Sequence, residues 1–143
     1  MSGVLGCAFV LFDLDVFFTA KLAREYFNWP APKVVYGITL EDIKKELAQG
    51  NLVITPMAGR ILQNPYYRRP GPIYHMVVVR GYTEKEIITN DPGTRRGEGF
   101  RYLNDNFFNS LHDWPFEFGK KIPKEEAARG ILDGQKAMIV FEK

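Results

Sequence analysis

The chain has almost no cysteine, and this scarcity excludes several classes of protein. Cys7 is the only cysteine among its 143 residues, so no disulfide can form within the chain. No CxxC pair and no cluster of cysteine and histidine has the spacing of a structural zinc site. A single unpaired thiol is typical of a reducing compartment, and we therefore predict a cytoplasmic protein.

The sequence also lacks a long basic run, a phosphate-binding loop and a long apolar segment. The net charge is only +2, and the pairs Arg68–Arg69 and Arg95–Arg96 fall in predicted loops, so we predict no nucleic-acid partner. No nucleotide-binding or metal-binding motif is present, so we predict no cofactor and no metal. The apolar segment 4–12 is too short to span a bilayer and is followed by acidic residues. We therefore predict no membrane span and no signal peptide.

The sequence does contain enough apolar residues for one packed domain. The hydrophobic fraction is 45% and the aromatic fraction 14%, which excludes disorder and fits a single domain over residues 1–143. Periodicity predicts strands over 33–36, 51–55, 75–82, 86–91, 100–103 and 136–143, and helices over 13–28, 39–50, 104–114 and 123–132. The fold class predicted is α+β, with an antiparallel sheet of about five strands and helices packed on it. The apolar segment 3–12 fits either a strand or a helix.

The clearest helix covers residues 39–50. Thr39 is placed to cap its N-terminus, Asp42 stands three residues later as in a capping box, and Gly50 ends it. A buried strand follows, and then a predicted loop over residues 56–74 that contains four prolines. A loop of this length within a small domain is often functional.

His75 and Asp91 stand at the two ends of a predicted hairpin. His75 begins one strand directly after the long loop, and Asp91 closes the strand that pairs with it. An imidazole needs an acceptor on one nitrogen to leave the other free as a base. Asp91 or its neighbour Asn90 is placed to be that acceptor. The alternative is a histidine with a structural role at the start of a strand.

The order of these segments resembles the C-terminal half of the double-glycine, bacteriocin-processing peptidase family, which belongs to the papain-like cysteine peptidases. The resemblance covers residues 40–115 and rests on LAQGNLVI, HMVVVRGY and EIITNDPG, followed by an aromatic strand and a short helix with a tryptophan. In that family a catalytic histidine begins a strand resembling GHYVVVxGY, and a catalytic aspartate follows in an xNDP turn. The resemblance implies a papain-like fold, a peptide or protein substrate, His75 as general base and Asp91 as its orienting carboxylate.

The segment that carries the nucleophile in that family is not matched. The family pattern has a glutamine that donates to the oxyanion hole, then Cys-Gly at a helix N-terminus. Here Cys7 is followed by Ala8, and no glutamine precedes it. Cys7 is therefore either the nucleophile of an active peptidase or a buried apolar residue in a non-catalytic, degenerate or truncated member that binds peptides or proteins. A truncated papain-like domain would expose one side of its core, which predicts a homodimer.

The segment AFVLFDLD suggests a different chemistry. An apolar strand followed by Asp-x-Asp resembles the first motif of haloacid-dehalogenase-type phosphatases, in which Asp13 would be the nucleophile and magnesium would be required. The Gly-Thr that usually follows is Val16-Phe17 here. The alternative is that Asp13 or Asp15 caps a helix.

The residues expected to line a substrate cleft lie near the long loop and the hairpin. They are Tyr66, Tyr67, Tyr74 and Asn90. Tyr74 replaces the glycine that usually precedes the histidine in the family pattern. The alternative for the tyrosines is that they pack the loop onto the sheet.

Overall fold

The computed structural model describes Val10, Leu11 and residues 13–143, which form two antiparallel sheets flanked by helices. The strands are β1 (Val10–Leu11), β2 (Lys33–Tyr36), β3 (Leu52–Met57), β4 (His75–Tyr82), β5 (Glu86–Asn90), β6 (Glu98–Leu103), β7 (Ile122–Pro123) and β8 (Ala137–Phe141). The helices are α1 (Val16–Glu25), α2 (Leu40–Ala48), α3 (Gly59–Leu62), α4 (Asn104–Ser110), α5 (Lys124–Gly130) and a 3-10 turn at Ile131–Asp133. The predicted α+β class is confirmed.

The large sheet has six strands in the order β2-β8-β3-β4-β5-β6, and all of its neighbours are antiparallel. Alternation along β4 sends Val77 and Val79 to one face, where both are fully buried. That face packs against α2 and α4 through Ile43 and Phe107. The opposite face is covered by α1, whose Val16 packs in a cluster with residues of β8.

Local capping signals set where two helices begin. The Thr39 hydroxyl accepts the Asp42 backbone N–H, and Asp42 Oδ2 accepts the Thr39 N–H at 2.8 Å, so the predicted capping box at α2 is confirmed. Asp15 caps α1 by accepting the Phe18 N–H at 2.8 Å. The helix-cap interpretation of the acidic pair therefore holds for Asp15.

The segment predicted as a loop over residues 56–74 contains more regular structure than its prolines suggested. Strand β3 continues through Pro56 to Met57, and the short helix α3 follows. Pro56 is tolerated because β8 pairs only with Leu52–Ile54, so no ladder bond is required on that side at Pro56. Its carbonyl instead accepts the His112 N–H at 3.2 Å. The large sheet has six strands where about five were expected, and the pairing of β1 with β7 was not predicted.

Candidate active site

His75 and Asp91 meet at one end of the β4–β5 hairpin. His75 is the first residue of β4, and Asp91 follows the last residue of β5. The strands are antiparallel, with Val78 opposite Asn90, so the start of β4 lies beside the end of β5. His75 Nε2 is 3.1 Å from Asp91 Oδ1. The structure thus brings these two residues within hydrogen-bonding distance.

The turn after β5 is built around Asp91. The Asp91 N–H donates to the Gly97 carbonyl at 2.9 Å, and the Gly93 N–H donates to Asp91 Oδ1 at 2.8 Å. A Cβ atom on Gly97 would overlap the Asp91 carbonyl, and one on Gly93 would lie 2.8 Å from the Tyr67 ring. The glycines of this loop therefore let the chain close tightly around the carboxylate.

Four donors saturate the Asp91 carboxylate. Oδ1 accepts from the Gly93 amide and from His75 Nε2. Oδ2 accepts from the Tyr67 hydroxyl and, at 2.6 Å, from the Tyr102 hydroxyl. An ionised carboxylate has about four acceptor sites, so the surrounding residues satisfy it fully. Asp91 is only 3% exposed, and such a buried charge is tolerated only when it is paired in this way.

These contacts determine which form of Asp91 is stable. Burial opposes ionisation, but the hydrogen bonds from His75, Tyr102, Tyr67 and the Gly93 amide outweigh it and lower the pKa of Asp91 to about 2. The same burial raises the pKa of both tyrosines, which therefore remain protonated donors. Asp91 is a fixed negative charge at neutral pH.

An ionised Asp91 determines the tautomer of the neutral His75 ring. The carboxylate can only accept, so Nε2 must carry the proton that lies between the two residues. The Tyr67 hydroxyl, 2.9 Å from Nε2, donates to Asp91 and accepts a share of the same N–H. Nδ1 is then left with a lone pair, and within the described residues this buried atom has no hydrogen-bond partner. Nδ1 is the atom that is able to take up a proton.

Gly59, the first residue of α3, packs closely against Nδ1 and Pro72 and leaves no room for a side chain. A Cβ atom at Gly59 would lie 3.1 Å from His75 Nδ1 and 2.5 Å from atoms of Pro72. Any larger residue would crowd the free nitrogen. The short helix α3 thus forms one wall of the site.

Two residues that sequence reasoning missed, Asn64 and Tyr102, complete the site together with Tyr67. The Asn64 side-chain amide donates to the Tyr102 hydroxyl at 2.7 Å, which leaves that hydroxyl's proton for Asp91. The sequence predicts Tyr67 only as one of several tyrosines lining a cleft, and nothing in it joins Tyr67 to Asp91. Asn64 lies just after α3 and Tyr102 in β6, so no local pattern in the sequence joins either of them to His75.

Of the residues predicted to line a cleft, Tyr67 contacts both His75 and Asp91, whereas the other three lie apart from that pair. Tyr74 is 7% exposed and donates to the Leu14 carbonyl at 3.0 Å. Asn90 pairs across the hairpin with Val78 and so points to the opposite face of the sheet from Asp91. Tyr66 is 47% exposed, and the Arg96 guanidinium lies 4.9 Å from the centre of its ring.

Cys7 lies outside the described residues. The helix that follows it, α1, begins at Val16 with Asp15 as its cap, so no cysteine occupies its first turn. Burial raises the pKa of Asp13, while the Leu14 N–H hydrogen bond and the charge that His75 carries when protonated oppose the rise. Asp13, which precedes α1, therefore places an acidic side chain within range of a charge on His75.

A second buried carboxylate supports the N-terminus of α1. Asp113 Oδ1 accepts the Val16 N–H at 3.0 Å and the Tyr74 hydroxyl at 3.2 Å. Burial raises the pKa of Asp113 to about 6, and these hydrogen bonds oppose the rise only in part. Asp113 thus joins α1, the residue before His75 and the segment after α4.

The described residues show neither a metal centre nor a membrane span. Among them, no group of three or more His, Cys, Asp and Glu side chains is arranged to hold a metal ion. None of the helices in this part of the chain has the length and apolar character needed to cross a bilayer.

The chain is similar to known proteins both in sequence and in fold. Residues 15–115, more than half of the chain, match the model of the Peptidase C39-like family. A crystal structure of a protein from Bacillus anthracis classed as a C39-like peptidase has the same fold, with a TM-score of 0.51 and 15% sequence identity. The similarity covers 92% of this chain but only 61% of that one, so the chain spans less than two thirds of that structure. The search of curated proteins found no match to the present chain.

Proposed function

The chain belongs to the Peptidase C39-like family, and we propose that it is a cysteine-peptidase-like domain that hydrolyses peptide or amide bonds. The family match confirms the resemblance found over residues 40–115. The observation that carries the proposal is the state of His75: Asp91 holds its Nε2–H, while Nδ1 has no hydrogen-bond partner in the described part of the chain. A histidine held in this way is prepared to act as a general base.

In this proposal His75 Nδ1 takes the proton of a thiol, and the thiolate attacks the carbonyl carbon of the substrate. The resulting tetrahedral intermediate collapses when the imidazolium returns the proton to the leaving amine. Water then hydrolyses the thioester, with His75 again accepting and returning a proton, and the thiol is restored. Asp91 stays ionised throughout and stabilises the imidazolium.

Cys7 is the nucleophile in this proposal because it is the only thiol in the chain. It precedes Asp13 by six residues, a stretch that reaches at most about 20 Å when extended. Val10 and Leu11 of this stretch pair with Pro123 and Ile122 of β7, and the proposal requires Cys7, three residues before Val10, to reach His75 from there.

The direct test is hydrolysis of a fluorescence-quenched peptide library by the wild-type chain and by Cys7→Ala, His75→Ala and His112→Gln. His112 is the other histidine of the chain and lies outside the proposed site. We expect cleavage by the wild type and His112→Gln, and losses of at least about 100-fold in the other two variants. EDTA should have no effect, whereas a phosphatase that used Asp13 and magnesium would lose its activity. Cleavage that survives Cys7→Ala would contradict the assignment of the nucleophile.

One observation favours a second candidate, a non-catalytic domain that binds peptides or proteins. The family pattern has its thiol at a helix N-terminus. At the N-terminus of α1, by contrast, the carboxyl groups of Asp15 and Asp113 accept hydrogen bonds from the backbone N–H groups of Phe18 and Val16. Under this alternative the library would bind without cleavage, and Cys7→Ala would bind it equally well. Fluorescence polarisation of the same peptides separates the two candidates.

The extent of the domain, its compartment and its oligomeric state are also proposed from the sequence. We propose a single domain over residues 1–143, a reducing compartment that keeps Cys7 as a free thiol, and association into a homodimer. Light scattering on the purified chain tests the last of these, and a monomer at micromolar concentration would contradict it.

A further inference from the structure

A surface pocket of about 480 Å³ opens beside His75, between α3 and the loop that follows it. Two of its lining residues approach the imidazole from different sides. The Tyr67 hydroxyl lies 2.9 Å from Nε2, and a Cβ atom on Gly59 would lie 3.1 Å from Nδ1. His75 is not itself a lining residue, so Gly59 and Tyr67 form the wall between the pocket and the ring proposed as the general base.

Among the described residues that line the pocket, two are arginines and none is acidic. Arg60 and Arg69 both line it, and the other lining residues are glycine, proline, tyrosine or neutral amides. Within the described part of the chain, the arginine ion pairs join Arg24 to Glu25 and Arg101 to Glu86. Neither pocket arginine is neutralised by a carboxylate there.

Arg60 is held in place at the pocket. Its Nε donates to the Gly71 carbonyl at 3.4 Å, and its side chain is half-buried. That bond uses one of the five N–H donors of the guanidinium and leaves the terminal nitrogens available. A partly buried and tethered guanidinium binds an anion with less loss of side-chain entropy than a free surface arginine.

We propose that this pocket binds a carboxylate group of the peptide ligand, next to His75. Guanidinium groups recognise carboxylates through two parallel hydrogen bonds, and two arginines in one pocket provide that geometry twice. Acidic side chains and a free C-terminus supply the same group. The inference rests on the proposed function only in taking a peptide as the ligand.

The test measures binding without turnover. Fluorescein-labelled octapeptides of alanine and glycine would carry Glu or Gln at each position in turn, with the C-terminus either free or amidated. Fluorescence polarisation would be measured with Cys7→Ala, and with the same chain carrying Arg60→Gln and Arg69→Gln. We expect at least about tenfold tighter binding of one carboxylate peptide over its amide partner, equivalent to about 1.4 kcal/mol. That preference should disappear in the arginine variant, while amide peptides bind unchanged.

Matched controls remove two exposed arginines that do not line the pocket, Arg68→Gln and Arg129→Gln, for the same change in net charge. These controls should keep the preference. A preference that depends on Glu identifies a side-chain ligand, and one that depends on the free C-terminus identifies a terminal ligand. Equal binding of acid and amide, a preference that survives Arg60→Gln with Arg69→Gln, or no peptide binding at all would overturn the inference. Binding with this preference but without hydrolysis by the wild type would overturn only the proposed catalysis.

Discussion

Replacing Tyr67 by phenylalanine removes one hydroxyl from the centre of the site and keeps the ring that packs there. The hydroxyl donates to Asp91 Oδ2 and lies 2.9 Å from His75 Nε2. A hydrogen bond to a buried charge contributes about 1.5–3 kcal/mol, and each pKa unit corresponds to about 1.4 kcal/mol. Loss of the hydroxyl should therefore raise the pKa of Asp91 from about 2 to about 3–4.

The sign of the effect on stability follows from the same numbers. The pKa of Asp91 is about 2 in the folded chain and 3.8 for an unperturbed aspartate, so its ionised form stabilises the fold by about 2 kcal/mol above pH 4. That contribution is lost as the pH falls from about 4 to about 2. In Tyr67→Phe most of this stabilisation by ionised Asp91 should already be absent at pH 7. The stability of that variant should therefore fall by only a small amount when the pH is lowered below 4.

Carbon-detected NMR titration of the aspartate carboxyls measures the pKa, and urea unfolding at pH 7 and pH 3 measures the stability. Tyr66→Phe is the matched control because the neighbouring Tyr66 is 47% exposed and lies outside the hydrogen bonds of Asp91. It should change neither quantity. An Asp91 pKa that stays near 2 in Tyr67→Phe would refute the reasoning, because the hydroxyl would then contribute nothing to the carboxylate.

Two further predictions concern packing and pH. Gly59→Ala should destabilise the chain by about 1–3 kcal/mol in urea unfolding, because its methyl group would lie 2.5 Å from Pro72 and 3.1 Å from His75 Nδ1. Gly81→Ala, with no atom nearer than 3.8 Å, is the control, and equal effects would contradict the close approach. For Asp113, a folded pKa of about 6 against 3.8 means that stability falls as the pH rises from about 4 to about 6, by about 2–3 kcal/mol. Asp113→Asn should remove that fall, and an unchanged pH profile would show that burial does not raise the pKa.

The hairpin that carries the site could be predicted from the sequence because its cause is local. Alternating apolar residues along 75–82 and 86–90 bury one face of each strand, and the turn between them fixes the pairing. The same holds for α2, whose capping box needs only Thr39 and Asp42. Where an element is determined by the interactions of a few neighbouring residues, the sequence is sufficient to predict it.

The period of two along a strand also explains where two predicted cleft residues lie. Tyr74 directly precedes His75, and Asn90 directly precedes Asp91, so each points to the opposite face from its neighbour. Applied to the sequence alone, that alternation predicts that the side chains of Tyr74 and Asn90 do not share a face of the sheet with those of His75 and Asp91.

The hydrogen bonds around Asp91 could not be predicted, because they depend on long-range packing. Tyr67 comes from the loop after α3 and Tyr102 from β6, and they converge on the carboxylate only once β5 and β6 have paired. Asn64 then acts through Tyr102 rather than on Asp91 itself. None of these contacts leaves a periodic pattern in the sequence.

The measurement that tests the central claim most directly is the pH dependence of Cys7 alkylation by iodoacetamide, in the intact chain and in His75→Ala. In the intact chain, a thiol paired with His75 should react with an apparent pKa well below the free value of about 8.5. In His75→Ala the thiol should no longer react at that low pH. The same profile in both chains, or a thiol that reacts only after unfolding, would contradict a thiolate–imidazole pair and leave His75 and Asp91 without a nucleophile.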